Sequence, residues 1–98
     1  MVTLWDVGTG QQLRTLPGIP GKVRSLAFRP DGRELACGAS GVAILWDTSN
    51  WNEVQRLVHD APAGSVGQGV NSVAFSPDGR LLATGGQDKG RIRLWRAQ

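Results

Sequence analysis

The chain has 98 residues, 40% of them apolar and 19% charged, with a formal net charge of +3. That balance suits one small folded domain and excludes a disordered or low-complexity chain. One cysteine, Cys37, and one histidine, His59, exclude an intrachain disulfide and a zinc site built from several Cys and His ligands.

No apolar run approaches the roughly 20 residues of a membrane helix, so a soluble, cytoplasmic protein without membrane contact is expected. Nine short strands are predicted in chain order, at 2–6, 11–16, 23–28, 33–37, 42–46, 53–58, 70–75, 80–84 and 91–95, and no helix. The first, VTLW, is followed by the turn DVGTG and the second, QQLRTL, which stops at Pro17 and Gly18. VRSLAF and RELAC flank RPDG, VAILW leads through DTSNWN to EVQRLV, and after a long connection VNSVAF, RLLAT and RIRLW follow with SPDG and GGQDKG between them. Each boundary carries Gly, Pro, Asp, Asn or Ser, the residues that turn a chain without needing a ladder partner.

Both PDG turns have a mechanism. Pro30 or Pro77 presets φ at the first corner, Asp31 or Asp78 bonds forward to the backbone, and Gly32 or Gly79 takes the left-handed conformation that closes the hairpin.

The chain also repeats itself. Val23 and Val70 are 47 residues apart, as are Pro30 and Pro77, whereas Trp46 and Trp95 are 49 apart because GGQDKG is longer than GASG. Insertions therefore fall in turns, as they do in arrays of one supersecondary unit. Met1 to Asp6 matches only the end of the unit, so the chain starts partway through a repeat.

Trp5-Asp6 and Trp46-Asp47 at strand ends, the hairpins AFRPDG and AFSPDG, and LATGGQD at 82–88 together resemble the WD-repeat family. The resemblance covers the whole chain and implies an all-β fold of four-stranded antiparallel propeller blades. On that scheme residues 1–16 are the third and fourth strands of a partial blade, 17–58 a full blade, and 59–98 the first three strands of another. The resemblance also implies a buried tetrad of His, Ser or Thr, Asp and Trp, for which the matching positions are His59, Thr84, Asp88 and Trp95. His59 lies eleven residues before Val70, so it is either the tetrad histidine ahead of an inserted loop or a surface residue. In the earlier repeat Ile19 stands where the histidine belongs, Cys37 replaces Ser, and GASG lacks the aspartate. That blade is expected to rely on apolar contacts, with Cys37 a small buried hydrophobe and not a reactive thiol.

About nine strands cannot close a ring of blades. If each open face carries about 600 Å² of apolar area, leaving it in water forfeits about 15 kcal/mol, as much as a typical domain's total stability of about 5–15 kcal/mol. The chain is expected to be part of a longer propeller or a protomer that assembles with copies of itself.

The family implies a non-catalytic protein-interaction scaffold, and the sequence holds no constellation for another reading. GTG and GGQDKG lie between strands with no helix to cradle a phosphate, and serine-based hydrolysis would need a base, whereas the sole histidine, His59, already has a structural role on offer. No enzyme activity, cofactor or metal is expected. Two alternatives stay open: a regulatory segment of a larger enzyme, and a weak nucleic-acid binder through Lys22, Lys89, Arg91, Arg93 and Arg96. The second is disfavoured because the eleven basic residues are scattered and several read as a solvated or ion-paired strand face. Function concentrates on loops held by a rigid frame, and the family's principal face points to Lys22, Val66, Gln68, Gln87 and Lys89. The segment 60–69 is either a binding loop or an insertion without a role, and Trp51 in the opposite turn is either a contact anchor or a packing residue.

Overall fold

The computed structural model describes residues 2–19, 22–58, 70–86 and 92–96. Its strands are β1 (Val2–Trp5), β2 (Gln12–Leu16), β3 (Ser25–Phe28), β4 (Glu34–Gly38), β5 (Val42–Asp47), β6 (Glu53–Val58), β7 (Val70–Phe75), β8 (Leu81–Gly86) and β9 (Ile92–Arg96). They form antiparallel sheets of two, four and three strands, in the orders β1-β2, β3-β4-β5-β6 and β7-β8-β9. All nine predicted strands are present, none of the described residues is helical, and the stack of sheets is an open series of WD-type blades.

The hairpins form as their residues dictate. Gly32 and Gly79 both sit at φ 75°, where a side chain would be strained. Asp31 and Asp78 each accept a backbone N–H two residues on, from Arg33 and Arg80, at 3.0 Å. At the same end of each blade the Asp after the Trp does the same work: Asp47 Oδ1 accepts the Ser49 N–H at 2.7 Å, and Asp6 Oδ1 the Gly8 N–H at 2.8 Å. Both ladders that precede these turns shift register at the Leu-Trp step, Leu4/Trp5 and Leu45/Trp46.

The central sheet is covered on both faces. Towards β1-β2 it presents Leu35, Cys37, Val42, Ile44 and Trp46 to Val2 and Leu16. Towards β7-β8-β9 it presents Ala36, Ala43, Leu45 and Leu57 to Val70, Val73 and Leu82. This explains why VAILW has no polar position, since every residue of it from Val42 to Trp46 is buried. Among the described residues, two hydrogen bonds stitch the central and third sheets together: Val70 N–H to Ala39 O at 2.7 Å and Val73 N–H to Ser25 Oγ at 3.2 Å.

Arg93, read as part of a solvated or ion-paired strand face, lies half-buried on the face that carries Trp95 towards the central sheet, while Ile92 and Leu94 point outward at 72% and 69% exposure. The pleat forces this arrangement, because Trp95 packs inward and residues two apart share its side.

Candidate interaction surface

The repeat's functional geometry begins at its tryptophans. Leu82 pairs with Trp95 and Thr84 with Arg93 in the β8-β9 ladder, so Trp95 reaches Thr84 diagonally and its Nε1–H donates to Thr84 Oγ1 at 2.9 Å. Thr84 is fully buried. His59 and Asp88, the other two positions of the expected tetrad, lie outside the described residues.

Its counterpart in the central blade is different. Leu35 pairs with Trp46 and Cys37 with Ile44, so Trp46 meets Cys37 on the same diagonal. Burial pushes the Cys37 thiol up, and the neighbouring Trp46 indole offsets this only in part. Sulfur is a weak acceptor, and Trp46 Nε1 is buried with no partner in hydrogen-bond geometry. This blade is held by its apolar contacts, with Cys37 at 0% exposure.

Among the described residues, clefts run between neighbouring sheets. One of about 470 Å³ lies between the central and third sheets, floored by Leu45, Leu57, Phe75 and Trp95 and rimmed by Arg29, Glu34, Arg80 and Arg96. Arg29 is spent on Asp31 at 2.7 Å and Glu34 at 3.3 Å, and no ion pair to Arg80 or Arg96 is seen among the described residues. Of these rim arginines only Arg96 was singled out from the sequence; Arg29 and Arg80 were missed, although they stand beside the PDG turns. The second cleft, about 610 Å³, lies between the first and central sheets beside Arg14, Trp46, Trp51 and Arg56. Arg56 spans it, pairing with Glu53 at 2.7 Å and donating to Gly18 O at 2.8 Å.

Of the expected contact residues, Lys22 is exposed and Trp51 is half-buried against the first core cluster. Trp51 adopts φ 59°, a left-handed conformation costly for a bulky side chain. Val66, Gln68, Gln87 and Lys89 lie outside the described residues, as do segment 60–69, Arg91 and Gly90. Among the described residues no three His, Cys, Asp or Glu side chains gather to hold a metal, and no helix is long and apolar enough to cross a membrane.

Stacked antiparallel sheets of two, four and three strands, with Trp-Asp turns and PDG hairpins, define blades of a WD-type β-propeller. The sequence profile of that family, "WD domain, G-beta repeat", matches residues 10–47 and 57–96, and the chain belongs to the WD40 family. It is similar to "Cell division cycle 20.1, cofactor of APC complex" of Arabidopsis thaliana, 34% identical over 70 residues, which cover 66% of this chain and 15% of that protein. It is also similar to "Nuclear distribution protein PAC1" of Arthroderma otae, 42% identical over 55 residues, covering 55% of this chain and 12% of that one. The chain thus spans about one seventh of the length of these curated relatives or less.

Proposed function

We propose that the chain is a non-catalytic protein-interaction segment of a WD propeller, completed either by further blades or by other copies of itself. The observation that carries this reading is the open blade series, whose outer sheet leaves Ile92 and Leu94 exposed while the central sheet covers the equivalent positions Ala43 and Leu45. Faces of this kind serve association, and the one relative named as a cofactor of a complex is in keeping with it. The partner is a protein, met by the loops around Lys22 at one end of the blades or by the turn holding Trp51 at the other. Thr84, Trp95, Asp88 and His59 are proposed as the buried brace that fixes the third sheet for this purpose.

The test is capture of proteins on the immobilised chain, followed by calorimetric titration of the purified captured protein. Saturable binding that Lys22→Glu or Trp51→Ala weakens about tenfold or more supports the reading. A titration that neither variant alters, or chemical turnover of the captured molecule, overturns it.

A further inference from the structure

The interface between the central and third sheets is a template for a second one, whose two halves lie on the outward face of the third sheet and on the opposite face of the central sheet. At the C-terminal end, Ile92, Leu94, Ala83 and Gly85 hold the repeat positions of Ala43, Leu45, Ala36 and Gly38. The latter four are buried, with Ala43 at 0% and Leu45 at 9% exposure. Gly38 is also crowded: a Cβ there would stand 2.7 Å from the Val70 carbonyl oxygen, whereas one at Gly85 would meet nothing within 4 Å. The outward face of β8 and β9 therefore keeps small and apolar residues, with a glycine niche, where no strand lies against it among the described residues. Arg93 is placed on the covered side of the same strand.

The complementary half stands at the other end. Val73 and Phe75 press from β7 onto the central sheet. Their repeat counterparts on β3, Leu26 and Phe28, are 50% and 60% exposed, since β1-β2 has no strands to cover them.

We infer that these two surfaces bind each other between copies of this chain. The rear face at Ile92 and Leu94 of one copy seats the β3 face at Leu26 and Phe28 of the next, head to tail. The arrangement rests on the blade reading above and names its partner as a second copy. An incoming β9 falls where β1 lies, so β1 yields its place on β2. Then β2 pairs with β9 of the other copy in the register that Trp5↔Gln12 and Trp46↔Glu53 both use. Each hydrogen bond lost between β1 and β2 has a replacement, β9 ceases to be the outer strand of its described sheet, and β2 roofs the 470 Å³ cleft beside Trp95. The contact is heterologous, so it closes into a ring or runs on as an open array.

Light scattering on the 98-residue chain from about 1 to 100 μM tests this. The expected mass is two or more times the 10.5 kDa of one chain, falling to one chain in Leu94→Glu and in Leu26→Glu, with far-UV strand signal retained in both. An equimolar mixture of these two variants has one sound face of each kind and is expected to form a 1:1 dimer and nothing larger. Gly85→Ala is expected to weaken assembly at least tenfold without unfolding the chain. A folded wild-type monomer at 100 μM overturns the inference, as does a mixture that stays monomeric, while leaving partner capture on Lys22 or Trp51 untouched. Assembly without any captured protein ligand overturns the scaffold reading alone.

Discussion

Trp95 Nε1–H donates to Thr84 Oγ1 at 2.9 Å, while Trp46, one repeat earlier on the same diagonal, meets the Cys37 thiol and leaves its N–H buried and unpaired. A buried donor without an acceptor costs about 1–3 kcal/mol.

Cys37→Ser supplies that acceptor at nearly unchanged volume. The expected gain is about 1 kcal/mol, or about 4–8 °C in Tm for a domain of this size. A thermal melt followed by circular dichroism reads it. Cys37→Ala offers no acceptor and is expected not to raise Tm.

The Thr84 hydroxyl is expected to matter in proportion. Thr84→Val keeps the shape and removes the acceptor for Trp95, lowering stability by about 1–3 kcal/mol. Trp95→Ala adds a void and is expected to cost about 3 kcal/mol or more, well above Trp51→Ala. Equal denaturant midpoints for Trp95→Ala and Trp51→Ala would show that the indole of Trp95 is not a brace.

Trp51 itself has an unusual backbone. At φ 59° any residue with a Cβ is strained by about 1–2 kcal/mol. Trp51→Gly is therefore expected to be more stable than Trp51→Ala by about 1 kcal/mol, the reverse of the usual order for these two residues. Chemical denaturation of the pair of variants measures the difference.

Gly38→Ala is expected to destabilise by about 1–3 kcal/mol through overpacking. Its Cβ would meet the Val70 carbonyl oxygen at 2.7 Å and Val70 Cγ1 at 3.0 Å. Trimming the side chain with Val70→Ala should not rescue it, because the nearer obstacle is backbone. A double-mutant cycle on unfolding free energies checks this.

Acid sensitivity follows from the first PDG hairpin. The Arg29 guanidinium, and after it the Arg33 N–H, holds the Asp31 carboxyl down to about 2 from an ordinary 3.8. A depressed folded value means stability that is present above the unfolded value and lost as pH falls from about 4 towards 2. Asp31→Asn is expected to remove this part of the acid-induced fall in Tm. Carboxyl titration by NMR should place the Asp31 midpoint near 2.

Much of this architecture was legible in residue order. The positions of nine strands, the PDG hairpins and the repeat follow from local causes: alternation along a pleat, φ preferences of Gly and Pro, and carboxylates that reach two residues forward. Cys37 at the place of Thr84 was equally visible, and so was the loss of the aspartate from GASG.

What the tertiary structure decided is which face of each strand is covered. RIRLW reads as an exposed, arginine-rich alternation, yet Arg93 faces the central sheet and Ile92 and Leu94 face out. The same period of two describes either choice, and only the seating of Trp95 against the neighbouring sheet selects one. The unpaired Trp46 N–H, the crowding of Gly38 and the left-handed Trp51 share this origin. Each depends on how close a second sheet or turn comes, a distance set by side chains far apart in sequence.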